Sequence, residues 1–585
     1  MATLTAAMIT DAAIPTEPRI SPDGRQVAYV VNGFLWVDSR NLGVSGTGPR
    51  WSPDSRWLYY RDGRLHRISL ETGEIQPLIE EVADCLPLDD DRVVVVTRAE
   101  SGPRDPVVWT DPLPKNTLGL LDPGTGETRP LELPGRHVIE FARCPEDDLL
   151  AVLTRVTPEQ DPVHPTTELH LVDPATGDVR DLGPTELVAH APVWWRADDG
   201  WRVAYLATTP PGPIGGLAVF DAEHRNLSAG MPCCPTELVQ AGEFPLAVFG
   251  DGLDTALYRL ERNGFRRLRL ERGRLLALSA SDSGEAVAVL ASTAHEPRNV
   301  HTGPPEGPLR QVTDTRPELR GITWGTQERL AYRAADGLEL DGLLILPPGR
   351  TREDGPFSLI TVPHGGPYDR YADEFSLNWF PSGQWLAAAG HAVFLPNGRG
   401  GQGHGHEFAA SIAEAVGLGE WTDVLTGIDL LVSEGVADPD RLGIGSWSHG
   451  GFVSAWAVGQ TDRFKAALMG AGISDWGMLV ATGEEGVLEA GLGGGPTWTG
   501  PGPYTELSPI SHAAKVTTPV LIVHGELDTN VPLSQAIAFH RALRYFGVEH
   551  EFVVYPREGH RISERAHQLD LLQRMRDWFE PLLRT

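Results

Sequence analysis

The sequence predicts two domains, a β-propeller of about seven blades followed by an α/β domain built on a parallel sheet. Three observations support this division. The chain has 585 residues, and a single hydrophobic core rarely grows beyond roughly 250–300 residues. A unit of short strands and turns repeats over residues 18–315. Over residues 316–585 strands alternate with helices, while residues 1–17 form a short N-terminal segment that can pack on the second domain.

The repeating unit opens on a turn such as Ser-Pro-Asp-Gly, runs through apolar strands and a Thr-Gly turn, and ends in a further strand. Runs of β-branched and aromatic residues between such turns indicate hairpins. A period of about 40 residues with several strands per unit indicates a propeller. The sixth unit is the least regular, so a propeller of six or eight blades is the alternative. The units begin near Ser21, Ser52, Leu88, Cys144, Arg196, Gly242 and Ser281.

Two groups of propeller residues have competing interpretations. Trp194, Trp195 and Trp201 are expected to pack between blades, with ligand stacking as the alternative. The acidic run at residues 89–91 is expected to form a solvated turn, because no EF-hand spacing accompanies it, although calcium binding is the alternative.

The composition is that of a globular protein and excludes several classes of partner. Hydrophobic residues make up 41% of the chain, and a net charge of −30 argues against binding to nucleic acid. Residues 1–20 lack a secretion signal, and no apolar run reaches the roughly 18 residues of a membrane helix, so a cytoplasmic location without a membrane partner is expected. The cysteines fit buried thiols rather than disulfides or a metal site. They are Cys85, Cys144, Cys233 and Cys234.

The second domain contains a candidate nucleophile, Ser448, in the stretch Gly-Ile-Gly-Ser-Trp-Ser-His-Gly-Gly. This stretch resembles the G-x-S-x-G elbow, which holds a serine at a sharp turn between a strand and a helix. The first glycine of the pattern is replaced by Ser446, which is small enough for the strand and helix to approach. Taken alone, the pattern fits a catalytic serine and a structural turn about equally.

A serine hydroxyl needs a base to accept its proton, and the base needs a third group to orient it. In α/β-hydrolases the acid and the histidine follow the serine in that order. Asp528 directly follows a buried strand and is the predicted acid, with Asp475 as the runner-up. His560 lies in the loop after the final strand and is the predicted base. The other downstream histidines fall in helices or open a strand, namely His540, His550 and His567.

Two backbone N–H groups are expected to form an oxyanion hole. One belongs to His449, directly after the nucleophile, and the other to Gly366 in the His-Gly-Gly-Pro loop. The elbow, this loop, the acid and the histidine occur in the order of an α/β-hydrolase, which is the predicted fold of residues 316–585. Arg399 has two interpretations, anchoring its loop or binding a carboxylate, and the first is favoured.

The segments HGGP, NGRGGQGHG, SWSHGG, HGELDTNVP and YPREGH, behind a propeller, resemble the prolyl oligopeptidase family of serine peptidases. HGGP is nearest to the acylaminoacyl-peptidase and dipeptidyl-aminopeptidase-like branches. The resemblance implies cleavage of short peptides in a cavity between the domains, with the propeller as a size filter. It also matches Ser448, Asp528 and His560 to the triad, and Gly366 and His449 to the oxyanion donors.

The resemblance further implies substrate contacts. Asn530 matches an asparagine of dipeptidyl aminopeptidases that binds a substrate carbonyl, which favours substrates with a free amino terminus. A propeller glutamate that binds the ammonium group is then expected, although the sequence does not identify it. His449 replaces a common tyrosine, so that pocket wall is altered. Matches to an apolar S1 pocket, for which core packing is the alternative, are Ile473, Trp476, Leu479 and Val531.

The predicted function is therefore a serine aminopeptidase or dipeptidyl aminopeptidase that forms an acyl-enzyme and needs no metal or cofactor. An acylaminoacyl-peptidase is the first alternative, and an esterase or amidase acting on a peptide-like small molecule is the second. A non-catalytic propeller scaffold is an alternative of another class. The sequence does not determine the oligomeric state, and a homo-oligomer is compatible with it.

Overall fold

A computed structural model describes residues 4–98, 112–159, 166–209, 216–380, 382–495, 497–500 and 502–584. Within these ranges the first half of the chain forms seven separate antiparallel sheets, which confirms the seven-bladed propeller. Each predicted unit begins at or beside the turn that joins the first two strands of one sheet. Such turns favour Gly, Asp and Ser. These residues make the turn the part of each blade that is easiest to recognise in the sequence.

The strands of the first four blades are bounded as follows. Blade 1 comprises β1 (Pro15–Ile20), β2 (Val27–Val31), β3 (Phe34–Val37) and β4 (Arg40–Ser45), and blade 2 comprises β5 (Thr47–Trp51), β6 (Trp57–Arg61), β7 (Arg64–Ser69) and β8 (Ile75–Glu80). Blade 3 comprises β9 (Val82–Pro87), β10 (Val93–Thr97), β11 (Thr117–Leu121) and β12 (Thr128–Leu131), and blade 4 comprises β13 (His137–Arg143), β14 (Leu150–Arg155), β15 (Thr167–Val172) and β16 (Val179–Pro184).

The last three blades complete the propeller. Blade 5 comprises β17 (His190–Ala197), β18 (Gly200–Thr208) and β19 (Leu217–Asp221), and blade 6 comprises β20 (Cys234–Val239), β21 (Leu246–Asp251), β22 (Asp254–Glu261) and β23 (Gly264–Glu271). Blade 7 comprises β24 (Arg274–Ala280), β25 (Val287–Ser292), β26 (Asn299–Gly303) and β27 (Arg310–Gln311).

The fifth blade, rather than the sixth, has the reduced sheet among the described residues. After β19 the carboxylate of Asp221 accepts hydrogen bonds from the backbone N–H of Glu223 and from the backbone and guanidinium of Arg225. The chain turns there, and a single bridge between Phe220 and Asn226 stands where the other blades have a fourth strand.

The propeller residues singled out above have mainly structural contacts. Trp194 and Trp195 are buried in two different clusters, one shared by blades 4 and 5 and the other by blades 5 and 6, which confirms their packing between blades. Trp201 is half-buried beneath the guanidinium of Arg196. Asp89 pairs with Arg92 in its turn. All four cysteines are buried and unpaired.

The second domain is an eight-stranded sheet in the order β28-β29-β31-β30-β32-β33-β34-β35. The sequence predicted a parallel sheet, and the strands from β30 to β35 pair in parallel. At one edge, however, β29 pairs antiparallel with both β28 and β31. A tight turn joins β28 to β29, and such a turn permits only antiparallel pairing. The strands are β28 (Gln327–Arg333), β29 (Glu339–Ile345), β30 (Phe357–Thr361), β31 (Ala392–Asn397), β32 (Ala437–Trp447), β33 (Phe464–Gly470), β34 (Val520–Gly525) and β35 (His550–Tyr555).

Helices cover both faces of this sheet. One apolar cluster packs α4, α5 and α9 on one face, and a second packs α1, α2 and α10 on the other. None of the described helices combines the length and hydropathy of a membrane-crossing segment. The helices are α1 (Ala6–Thr10), α2 (Gly383–Ala387), α3 (His406–Ala410), α4 (Gly419–Ser433), α5 (His449–Gln460), α6 (Trp476–Thr482), α7 (Gly486–Gly493), α8 (Tyr504–Leu507), α9 (Ser534–Phe546) and α10 (Arg565–Leu582).

The N-terminal segment packs on the second domain. Leu4 and Ile9 are buried in the cluster that contains the apolar face of α10. Asp11 forms an ion pair with Arg565 at the start of α10. The first helix of the described chain therefore lies against the last.

Candidate active site

Ser448 stands at the turn between β32 and α5 with φ +58° and ψ −126°, a conformation that non-glycine residues rarely adopt. The flanking hydrogen bonds hold it there. Its N–H donates to the carbonyl of Gly470 over 2.8 Å, and its own carbonyl accepts from the N–H of Phe452 over 2.9 Å. This is the backbone geometry of a nucleophile elbow.

The elbow depends on close backbone packing. A Cβ atom at Gly450 would lie 2.4 Å from the carbonyl oxygen of Pro363, and one at Gly451 would lie 2.4 Å from that of Gly470. Ser446 occupies the position where the elbow pattern has glycine, and its hydroxyl donates to the Pro363 carbonyl. The serine is accommodated because its hydroxyl has a partner in the segment that follows β30.

Three polar side chains form a hydrogen-bonded series at this elbow. The Nε2 atom of His560 lies 2.9 Å from the Oγ atom of Ser448, and its Nδ1 atom lies 2.8 Å from the Oδ2 atom of Asp528. Asp528 follows β34 and is buried, and its Oδ1 atom accepts from the N–H of Val531. The runner-up, Asp475, caps α6 by accepting from the N–H of Met478.

A second histidine, His524, also faces the carboxylate and was not identified from the sequence. Its Nε2 atom lies 3.4 Å from Oδ2 of Asp528 and donates to the carbonyl of Val531 over 2.7 Å. Burial raises the pKa of Asp528, but hydrogen bonds from His524 and His560 outweigh it and hold that pKa below the ordinary value. The carboxylate therefore stays ionised beside the imidazole.

The loop that carries His560 is anchored on both sides. The indole of Trp447 donates to the carbonyl of His560 over 2.8 Å. The carboxylate of Glu558 is fully buried and accepts from the N–H groups of Ser563 and Glu564 and from the ring of His567. Although burial opposes ionisation, these bonds lower the pKa of Glu558 to about 2.

Of the two predicted oxyanion donors, His449 follows the nucleophile in the sequence and Gly366 lies near it in space. His449 is the first residue of α5, so its N–H lies in the turn that has no acceptor within the helix. Gly366 has φ +116° and follows Gly365, where a Cβ atom would lie 3.9 Å from Cβ of Ser448. The role of both N–H groups as oxyanion donors stays a prediction.

A cavity of about 670 Å³ lies between the propeller and the hydrolase domain. It reaches Ser448 and His560, the half-buried members of the hydrogen-bonded series that ends at Asp528. Ser448, His560, Gly366 and Asn530 line it on the hydrolase side. An aromatic wall that the sequence did not reveal comprises Trp379, Phe380 and Trp447, with ring centroids of Trp379 and Trp447 5.1 Å apart. The propeller contributes Arg274 and Arg298.

The four apolar residues matched to an S1 pocket lie elsewhere in the described structure. All are buried in the cluster that packs α4, α5 and α9, and none lines this cavity. Trp476 contacts the ring of Phe452 at 5.0 Å between centroids, and Asn530 is the one proposed substrate residue on the cavity wall. The four residues are Ile473, Trp476, Leu479 and Val531.

Arg399 anchors its loop, as favoured from the sequence. Its guanidinium binds both oxygens of the buried Asp423 over 2.8 Å and also the carboxylate of Asp336 over 2.8 Å. These pairs fix the segment after β31 against α4.

A serine, a histidine and a buried aspartate bonded in this order, on an α/β-hydrolase sheet, define the class of serine hydrolases. Residues 378–585 match the model of the prolyl oligopeptidase family. This catalytic domain belongs to that family, and the protein is a serine peptidase.

The alignments with similar proteins cover different shares of the chain. An uncharacterized peptidase of Bacillus subtilis, YuxL, is 25% identical over 99% of both chains. The acylamino-acid-releasing enzyme of Arabidopsis thaliana is 30% identical over 43% of this chain and 33% of its own length. The crystal structure of the Pyrococcus horikoshii acylaminoacyl peptidase has the same fold, with a TM-score of 0.84 at 21% identity over 100% of this chain and 98% of its own.

Proposed function

We propose that this peptidase cleaves short peptides in the cavity between its domains through a covalent acyl-enzyme. The observation that carries the proposal is the continuous series from Ser448 through His560 to Asp528 at the cavity wall. A volume of about 670 Å³ fits a small ligand rather than a folded protein. The propeller then restricts entry to short substrates.

The residues divide the chemistry as follows. The Oγ atom of Ser448 attacks the substrate carbonyl while Nε2 of His560 accepts its proton. The N–H groups of Gly366 and His449 stabilise the negative charge on the carbonyl oxygen. His560 then protonates the leaving amine, and a water molecule repeats both steps on the ester. Asp528 holds His560 in the required tautomer and stabilises its protonated form.

The charge of the cavity bears on which amino terminus is accepted. Within the described residues, the propeller side of the cavity is lined by Arg274 and Arg298, and a propeller glutamate is absent from the lining. The carboxylate beside these arginines, Glu374, is already paired with both of them, so the propeller side offers no free carboxylate to an ammonium group and suits an acylated amino terminus better. Acylaminoacyl-peptidase activity is therefore the favoured form of the proposal.

A free amino terminus remains the second candidate because of two residues on the hydrolase side. Glu485 and Asn530 both line the cavity, and the amide of Asn530 contacts the carboxylate of the neighbouring Glu484 at 3.5 Å. An ammonium group placed there would meet a carboxylate and a carbonyl acceptor.

Steady-state hydrolysis of paired anilides tests these alternatives. The pairs are free-amino and N-acetylated alanyl, phenylalanyl and prolyl anilides, with Ser448→Ala as the control. We expect Ser448-dependent cleavage with a preference for the acetylated members. A preference for the free amines would establish an aminopeptidase, and cleavage of simple esters alone would establish an esterase. Failure of a fluorophosphonate to label Ser448 would support the scaffold alternative.

A further inference from the structure

The cavity contains four arginines, and the surroundings of three of them are accounted for. Arg274 and Arg298 both pair with the buried carboxylate of Glu374, over 3.2 Å and 3.0 Å. Arg370 donates to the carbonyl of Gly252 over 2.7 Å. These guanidinium groups hold the propeller to the hydrolase domain, so their binding capacity is largely used.

The fourth, Arg561, is different. It is exposed at the cavity wall, and within the described part of the chain it makes neither an ion pair nor a hydrogen bond. Its backbone is nevertheless fixed. The carbonyl of the preceding His560 accepts from Trp447, and the following Ile562 is 1% exposed with its carbonyl bonded to Gln568. A fixed backbone thus presents an unpaired cation into the cavity.

The position of Arg561 indicates which part of a substrate it meets. His560 delivers a proton to the leaving amine, so the leaving residue passes within hydrogen-bond reach of that ring. Arg561 is the next residue along the same wall. One residue of peptide spans at most about 3.5 Å, so a charge on the first leaving residue lies close to the scissile nitrogen. The long side chain of arginine can reach such a charge.

Resting on the proposed function, we propose that Arg561 binds a carboxylate on the first leaving residue and so selects substrates with a negative charge there. The carboxylate has two sources, the free carboxyl terminus of a very short peptide or an acidic side chain. Arginine donates two parallel hydrogen bonds to a carboxylate, which gives this contact direction as well as charge. The chain as a whole has a net charge of −30, which repels anions. Salt screens distant charges, so the attraction of Arg561 for a carboxylate acts only close to its guanidinium group.

Two peptide pairs test the proposal and separate the sources. The first is acetyl-Phe-Ala with a free carboxyl terminus against its amide, and the second is acetyl-Phe-Asp-amide against acetyl-Phe-Asn-amide. We expect the full-length enzyme to favour the charged member of one pair by about fivefold in kcat/KM, as for an ion pair that water reaches. The pair that shows the preference identifies the source.

Variants of two arginines in the same loop make the test specific. Arg561→Gln should remove the preference, and Arg561→Lys should retain part of it because the charge remains. The matched control is Arg557→Gln, since Arg557 is also exposed but is bonded to both oxygens of Glu564 and lies outside the cavity lining. This control should keep the preference of the wild type.

The possible results distinguish the two proposals. The assignment of Arg561 is overturned if the wild type cleaves both members of each pair equally, or if Arg561→Gln keeps the preference, or if Arg557→Gln loses it as well. In each of these cases Ser448-dependent cleavage of the peptides still supports the proposed peptidase. Absence of any Ser448-dependent amide cleavage would overturn the proposed function itself.

Discussion

At the scale of single residues, the carboxylate of Asp528 carries the sharpest prediction. In Asp528→Asn the side-chain amide oxygen can still accept from the N–H of Val531. The amide NH2 group then faces Nδ1 of His560 and donates to it, which favours the tautomer with the proton on Nε2, where it cannot accept the proton of Ser448. We expect kcat for the best anilide to fall about 10⁴-fold with little change in thermal stability. Asp475→Asn is the control, because Asp475 caps α6 and should be dispensable for catalysis. The reverse result would make Asp475 the triad acid.

Glu558 gives a prediction about stability and its pH dependence. Its pKa is about 2 in the folded protein against 4.5 ordinarily, so its ionised form stabilises the fold. That contribution is fully present above pH 4.5 and is lost as the pH falls towards 2. We expect Glu558→Gln to cost about 2–3 kcal/mol at pH 7. The difference from wild type, measured by urea unfolding, should narrow as the pH falls from 4.5 towards 2, and a constant difference would contradict this account.

At the scale of elements, the packing of α5 on β33 limits the side chains that the elbow tolerates. Gly451→Ala would place a Cβ atom 2.4 Å from the carbonyl oxygen of Gly470. The helix must shift to admit it, so we expect a loss of about 1–3 kcal/mol and slower fluorophosphonate labelling of Ser448. Gly321→Ala is the control, because its Cβ atom would meet nothing within 4 Å. Equal effects of the two changes would rule out the elbow as the cause.

The elements were largely predictable from the sequence because their signals are local. Turn residues mark the first hairpin of every blade, and the turn at Ser21 and the elbow at Ser448 need only neighbouring residues to be recognised. The antiparallel pairing of β29 with β31 was missed because apolar strands carry no sign of pairing direction. The turn at Asp336-Gly337 between β28 and β29 was a local signal of antiparallel pairing that was not used. Trp379 was missed because its place at the site depends on contacts between distant parts of the chain. His524 lies only four residues before Asp528, but a histidine inside a buried strand gives no sign in the sequence that it faces the carboxylate.

At the scale of the whole molecule, Glu374 couples the two domains. It is buried, and although burial raises its pKa, Arg298 and Arg274 lower it below the ordinary value. Glu374→Gln leaves Arg298 without its carboxylate and Arg274 with only the more distant Asp369, at 3.7 Å, so we expect a loss of about 3–5 kcal/mol. Calorimetry should then resolve separate domain transitions. The control Asp314→Asn removes only an exposed partner of Arg320 and should cost at most about 1 kcal/mol.

The packing of α1 on α10 has a consequence during synthesis of the chain. Ile9 reaches its apolar partners on α10, such as Leu571, only after the propeller and most of the hydrolase domain have been translated. At about 5–20 residues per second, that interval is roughly half a minute to two minutes. The propeller can fold on the ribosome during this time, whereas the apolar face of α1 has no partner on α10 until the end of the chain has been made.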